Sequence, residues 1–242
     1  MSETRRAALV TGASRGIGRA IALRLAEEGF DLTLSARGAD ALRKTAVDCA
    51  DRGGTNVTTV PADMADEDDV RRVARAHRTA HERLDLLVLS AGVGSAALLG
   101  SYPARRFDKQ FAVNVRAPFL LIDTCMDLMR RTAPARIVAI SSITGCAPEP
   151  GLAAYGASKA ALTALCEAVN TEASADGVAA TAILPGYVDT DMSAWNHDRV
   201  PPTEMITSDD LAELVVSLSR LSPRAVVPSI PVLRSGSTLW RA

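Results

Sequence analysis

The tightest constraint on the fold lies near the start of the chain. A short apolar run, A-A-L-V-T, passes through Gly12-Ala13-Ser14-Arg15-Gly16-Ile17-Gly18 into R-A-I-A-L-R-L-A-E-E-G. Ile21 and Leu25 recur at helical spacing and Gly29 supplies a stop, so the segment reads as strand, glycine turn and helix. That order builds a cradle for phosphate. Gly12 permits the tight turn, Gly16 lets a pyrophosphate approach the backbone, and Gly18 lets helix and strand pack closely. Ser14, Arg15 and Ile17 complete the loop, and the helix N-terminus faces the anion.

A second stretch, Ser142 to Lys159, reads S-I-T-G-C-A-P-E-P-G-L-A-A-Y-G-A-S-K. Tyr155 and Lys159 are four apart and share a helix face. An ammonium beside a phenol favours the phenolate, so the pair suits acid–base work near neutral pH. Ser142 follows the apolar run Ala135–Ile140, which reads as a buried strand. A hydroxyl at that strand end, facing the Tyr155/Lys159 helix, would hold a carbonyl oxygen while the phenol protonates it.

The 242 residues carry a net charge of −1, with 48% hydrophobic and 23% charged residues, enough for the core of one α/β domain. Balanced charge without a Lys/Arg run excludes a nucleic-acid footprint. No stretch has the length of a membrane span, and the apolar start is too short for a signal peptide, so a cytoplasmic chain is expected. The four cysteines, Cys49, Cys125, Cys146 and Cys166, are scattered without metal-ligand spacing, and reduced thiols are expected. His77 and His81, four apart in a polar run, read as a solvated helix surface. No metal is expected.

The G-x-x-x-G-x-G spacing of T-G-A-S-R-G-I-G, followed far downstream by Y-G-A-S-K, resembles the classical short-chain dehydrogenase/reductase family. The resemblance runs from about residue 7 to residue 192. It implies catalytic roles for Asn114, Ser142, Tyr155 and Lys159, with Tyr155 and Lys159 also touching the cofactor. At the tip of the second strand, Asp31–Ser35, stand Ala36 and Arg37 in place of an acidic residue. Two guanidiniums, Arg37 and Arg15, suit a 2′-phosphate, so NADP(H) is expected over NAD(H); the alternative is that Arg37 is merely solvated. The resemblance implies that Asp63 accepts from the adenine amino group, with the Met64 backbone beside it. Asp63 could equally cap the helix beginning near Glu67.

After the strand Asp85–Leu89 the chain reads Ser90-Ala91-Gly92, where the family usually has N-A-G. Ser90 is expected to keep part of that asparagine's bracing, and Ala91 and Gly92 to allow close approach of the cofactor. A long helix is expected over about 104–131. Pro118 cannot donate to the carbonyl of Asn114, which predicts a kink or a free carbonyl there. The resemblance makes that carbonyl the seat of a water linking Lys159 to solvent; the plainer account is a kink that fits the helix to the sheet. Beyond Lys159 the helix is apolar on nearly every side, which predicts either a wide core face or packing on a second subunit, as in a homodimer or homotetramer.

Pro185-Gly186-Tyr187-Val188-Asp189-Thr190 matches the family's P-G-x-V-x-T, implying that Pro185, Gly186, the Val188 backbone and the Thr190 hydroxyl hold the nicotinamide carboxamide. Residues at about 190–206 read as a substrate lid by position. Met192, Trp195 and Met205 would form one pocket wall, and Cys146, Leu152 and Tyr187 the other. A helix is expected at about 207–220, then a strand at Ala225–Val227 and a tail that lacks the family's V-D-G-G.

The expected architecture is one Rossmann-type domain over residues 1–242, a doubly wound parallel sheet in order 3-2-1-4-5-6-7 with helices on both faces. The expected activity is NADP(H)-dependent interconversion of a small-molecule ketone or aldehyde and an alcohol. A 3-oxoacyl-thioester (acyl-carrier-protein) reductase is the nearest alternative, with Arg105, Arg106, Arg130 and Arg131 as docking candidates. A non-catalytic NADPH-sensing protein is the alternative of another class.

Overall fold

The computed structural model describes residues 5–237. Seven parallel strands form one sheet in the order β3-β2-β1-β4-β5-β6-β7. These are β1 (Ala7–Thr11), β2 (Asp31–Ala36), β3 (Val57–Pro61), β4 (Leu86–Leu89), β5 (Ala135–Ile140), β6 (Val178–Pro185) and β7 (Ser229–Val232). The helices are α1 (Gly16–Glu27), α2 (Ala39–Gly53), α3 (Glu67–Ala80), α4 (Ala104–Phe111), α5 (Ala117–Thr132), α6 (Ala153–Ala173) and α7 (Ser208–Ser219).

The central strands are buried end to end because helices cover both faces of the sheet. Alternation along each strand sorts its side chains into two cores. Leu9, Leu87 and Ile137 pack with Val73 of α3, Leu121 of α5 and Leu162 of α6. Val10, Val88 and Val138 pack on the other side with Leu25 of α1, Leu42 of α2 and Val215 of α7. The strand order reverses between β1 and β4, so loops leaving the two strands diverge and open a crevice at their carboxyl ends.

Three local expectations are corrected. The strand expected at Ala225–Val227 lies instead at β7, with Ala182 of β6 paired to Ser229. The reason is Arg136 on β5, whose guanidinium donates to the carbonyls of Ser222 (2.6 Å) and Ala225 (2.8 Å). Those carbonyls are thereby withdrawn from any ladder. Asp66, not Asp63, caps α3 by accepting from the Asp69 N–H.

His77 is not solvated: it is fully buried between α3 and β2, with Nδ1 2.8 Å from Thr33 Oγ1 and Nε2 3.0 Å from the Arg83 carbonyl. A carbonyl only accepts, so Nε2 carries the proton and Nδ1 accepts from the threonine. Burial pushes His77 down to about 4, which keeps it neutral. His81 is half-buried with its ring 5.0 Å from that of His77, and among the described residues no cluster of three metal-ligating side chains exists. No described helix is long and apolar enough to cross a membrane. Within the tail that lacks the glycine-rich ending, residues 238–242 lie outside the described residues.

Candidate active site

The glycine turn is built by contacts that exclude side chains. Gly12 has φ +70°, and a Cβ there would stand 2.9 Å from the Ala91 backbone. A Cβ on Gly18 would stand 2.3 Å from the Gly12 carbonyl oxygen, so α1 rests directly on the exit of β1. No side chain caps the N-terminus of α1, and its first turn carries no acidic residue. Its orphan N–H groups and positive dipole end therefore face the crevice without a competitor, which fits a bound phosphate. Gly16 lies across from Thr190, whose Cγ2 would be 3.3 Å from an added Cβ. Ser14 and Ile17 are half-buried beside it.

At the nucleotide end, Arg37 is exposed just past the tip of β2, with no ion pair among the described residues. Arg15 is also exposed but pairs with Asp191 at 2.9 Å. Asp63 accepts from the Ala65 N–H at 3.0 Å through Oδ1, and Met64 is buried beside it. The bracing expected of Ser90 belongs to another residue. Thr11 Oγ1 accepts from the N–H groups of both Ser90 and Ala91 at 3.1 Å, while the Ser90 hydroxyl makes no hydrogen bond among the described residues. A threonine ending β1 gave no signal of this in the sequence, because its partner strand is distant along the chain.

The floor of the crevice carries Asn114, Ser142, Tyr155 and Lys159. The long helix expected over about 104–131 divides into α4, a wide π turn over Ala112–Arg116 and α5, and Asn114 sits in the wide turn. There the Ala117 N–H donates to the Ala112 carbonyl, a five-residue span that absorbs the donor missing at Pro118. The fully buried Asn114 side chain accepts from Val93 N–H through Oδ1 at 2.9 Å and donates through Nδ2 to the Val93 carbonyl and to Ser158 Oγ. It thus pins the loop leaving β4 to α6. A Cβ on Gly92 would stand 3.4 Å from Lys159 Nζ and 3.6 Å from Asn114 Oδ1, and one on Gly94 would stand 3.4 Å from the Tyr155 ring.

Ser142 is buried where the chain leaves β5, and its Oγ accepts from Thr144 Oγ1 at 2.9 Å and from Thr144 N–H at 3.3 Å. With both lone pairs engaged, its own proton is left to donate, and it is directed to the Tyr155 side of the crevice. Lys159 Nζ donates to the Ile140 carbonyl at 2.7 Å and lies 5.7 Å from the centre of the Tyr155 ring.

The acidic phenol expected from Tyr155 and Lys159 is not what this geometry gives. Burial pushes Tyr155 up to about 12, offset only in part by the Ser142 hydroxyl. Burial pushes Lys159 down to about 8. The ammonium is turned to a carbonyl rather than to the phenol, so desolvation dominates both groups.

At the rim, β6 ends at Pro185 and the Gly186 N–H donates to the Val232 carbonyl at 2.9 Å. Val188 bridges to Ile206, and its carbonyl accepts from Ser193 Oγ, which in turn accepts from the Thr190 N–H at 3.2 Å. Of the expected pocket residues, Cys146, Met192 and Trp195 are exposed, Leu152 and Tyr187 are half-buried, and Met205 is buried. Tyr187 lies edge-on to Trp195 with centroids 6.3 Å apart, and its hydroxyl donates to Glu149 at 2.8 Å. Sequence reasoning passed over Glu149; its one signal was a carboxylate set between two prolines.

Residues 6–200 match the family model for short chain dehydrogenase. The chain is 32% identical over 207 residues to 3-oxoacyl-(acyl-carrier-protein) reductase FabG of Staphylococcus aureus, covering 86% of this chain and 84% of that protein. It is 33% identical to 2-(R)-hydroxypropyl-CoM dehydrogenase of Xanthobacter autotrophicus, covering 88% and 91%. Among solved structures, the Pseudomonas aeruginosa RhlG/NADP active-site complex superposes with a TM-score of 0.87 at 32% identity over 96% of each chain. An alcohol dehydrogenase from the archaeon Thermococcus sibiricus, complexed with 5-hydroxy-NADP, gives 0.88 at 27% identity over 99% of each. The glycine turn beneath an uncapped helix, the seven-strand order and these likenesses agree, and the chain belongs to the short-chain dehydrogenase family of oxidoreductases.

Proposed function

We propose that the chain catalyses reversible hydride transfer between NADP(H) and a small ketone, aldehyde or secondary alcohol. The observation that carries this reading is the convergence of Ser142, Tyr155, Lys159 and Asn114 on one crevice floor, with Gly92 and Gly94 of the β4 exit against Lys159 and Tyr155. Reduced nicotinamide, when bound, supplies the hydride. The glycine turn and α1 N-terminus would hold the pyrophosphate, Asp63 and Met64 the adenine, Arg37 the 2′-phosphate, and the Val188–Thr190 segment the carboxamide. Several solved relatives hold NADP or an analogue, which supports that choice.

Each residue's chemistry follows from its surroundings. Ser142, its acceptor capacity taken by Thr144, donates to the substrate carbonyl oxygen and orients it. Tyr155 gives its phenolic proton to that oxygen as it becomes an alkoxide. A phenol near 12 is protonated at neutral pH, which is the form that can donate to the alkoxide. Lys159, near 8, is the site from which the phenol is reprotonated, and the Asn114 backbone would hold the relay water.

The chain would act as a homodimer. A groove of about 740 Å³ where α4, the π turn and α5 meet α6 is lined by Phe111, Val115, Phe119, Ala161 and Leu165 with Asp108 and Arg116 at its edge, and Phe119 is 52% exposed. An apolar strip of this kind is what a second copy would cover. Residues 190–206 would serve as the lid, and a cytoplasmic location fits this role.

The FabG likeness favours one second reading, reduction of 3-oxoacyl thioesters. Of the arginines expected to dock a carrier, Arg130 and Arg131 already pair with Asp176 and Asp127. Arg105 and Arg106 on α4 remain exposed without such partners among the described residues. The test is oxidation of NADPH and NADH against diketones, aromatic ketones, steroids and acetoacetyl thioesters. NADPH consumption with simple ketones is expected. Consumption confined to thioesters would favour the second reading, and cofactor binding without consumption would overturn both.

A further inference from the structure

Glu149 lies on the stretch joining Ser142 to α6, flanked by Pro148 and Pro150. A residue before proline is held to extended conformations, and the ring that follows fixes its own φ. Leu152 N–H donates to the Glu149 carbonyl at 3.1 Å, and Gly151 has φ +81°. Proline then left-handed glycine between those hydrogen-bonded ends makes a type II turn with Glu149 as its first residue. The Ala97 N–H donates to the Gly151 carbonyl at 3.0 Å, tying this turn to the loop that leaves β4. The backbone presenting this carboxylate is therefore fixed on both sides.

The carboxylate itself is half-used. Its side chain is only 22% exposed. Oε1 accepts from the Tyr187 hydroxyl at 2.8 Å and lies 3.7 Å from Arg199 Nη2. Oε2 accepts no hydrogen bond among the described residues. Oε2 is not among the buried polar atoms left without a partner, so it opens to solvent and can be reached by a ligand as a free acceptor. Burial and the carboxylate itself push the Tyr187 phenol up to about 12, so Tyr187 stays a donor and keeps Oε1 occupied. Through Tyr187 the carboxylate adjoins Trp195, so an acceptor is set beside an aromatic face, with the Arg199 guanidinium on the side of its engaged oxygen.

We infer that Glu149 is a specificity-determining residue of the substrate mouth, whose Oε2 accepts a hydrogen bond from a hydroxyl or protonated amine carried by the substrate away from its carbonyl. The inference deepens the carbonyl-reductase reading and rests on it. It names the substrate class as carbonyl compounds with a remote donor, an ammonium best, a hydroxyl next and an apolar group last. Hydrogen bonds to a charged partner are the stronger kind, so discrimination of about tenfold to a hundredfold is expected.

The test uses three acetophenones with para-aminomethyl, para-hydroxymethyl and para-ethyl groups, assayed with NADPH on the full chain and on Glu149→Gln. The amide keeps the side chain's size and its bond from Tyr187. The wild type is expected to favour the aminomethyl ketone over the ethyl ketone at least tenfold in kcat/KM, through KM. Glu149→Gln should lose most of that ratio, with kcat for the ethyl ketone and NADPH affinity unchanged. Calorimetric binding of the same ketones to both proteins loaded with oxidised cofactor needs no turnover. A preference present in wild-type binding and lost in Glu149→Gln supports the role even if no ketone is reduced, in which case the reductase reading alone fails. Equal or undetectable binding preference in the two proteins overturns it.

Discussion

The floor and the rim of the crevice are built in opposite ways. On the floor, Asn114, Ser142 and Lys159 are buried and held largely by backbone partners: Val93, Thr144 and Ile140. On the rim, Cys146, Met192 and Trp195 are exposed, and the contacts there run between side chains, Arg15 to Asp191 and Tyr187 to Glu149. Backbone partners cannot be mutated away, so the floor's geometry is set by where strands end and how a helix winds. Side-chain partners can change one at a time, and that freedom lets a fixed chemistry meet different substrates.

The largest effect is expected of Gly18→Val, in the backbone-built glycine turn beside the floor. Its Cβ would fall 2.3 Å from the Gly12 carbonyl, so α1 must lift from β1. A loss of NADPH affinity of about a hundredfold or more is expected, with about 1–3 kcal/mol of stability, read by cofactor titration and urea unfolding.

Lys159→Met separates stability from activity. The unfolded chain keeps this proton up to about 10.5, whereas the folded one releases it near 8. Below pH 8 both states are charged and the folded state bears the whole desolvation cost. As pH rises from 8 to 10.5 the unfolded state binds more protons, and wild-type stability should recover. At pH 7 the methionine variant is expected to be inactive yet more stable by about 2 kcal/mol, a difference that shrinks toward pH 10 in paired urea titrations.

Smaller effects belong to the periphery. Arg37→Asp replaces a phosphate partner with a ribose-hydroxyl acceptor, and the NADPH-to-NADH ratio of kcat/KM should fall about tenfold or more. Asp191→Asn removes an exposed ion pair worth at most about 1 kcal/mol and releases Arg15. NADPH binding should tighten a few-fold at low salt, and the gain should vanish at high salt.

The same contrast explains what could be read from the sequence. The turn at Gly12–Gly18 and the Asn114 distortion followed from glycine spacing, an apolar run and one proline, which are local signals, while the strand order came with the family resemblance that those glycines carry. His77 misled because its helix is polar on the exposed faces, while the buried face meets Thr33, far away in sequence. The strand expected at Ala225–Val227 failed because Arg136 takes the Ala225 carbonyl and that of Ser222 before it, a tertiary contact with no local mark. The acidic phenol expected of Tyr155 went astray because helical spacing states proximity but not burial. Glu149 was written in the chain as Pro-Glu-Pro, but its meaning required Tyr187 and Arg199 beside it.

The central claim is that a half-buried, protonated Tyr155 completes hydride transfer at this floor. It is met most directly by Tyr155→Phe, comparing NADPH affinity with single-turnover oxidation of NADPH by a ketone that the wild type reduces. Cofactor affinity unchanged, with the rate lower by about 10²–10⁴-fold, is the expected result. A variant that binds NADPH and reduces the ketone at the wild-type rate would contradict the account.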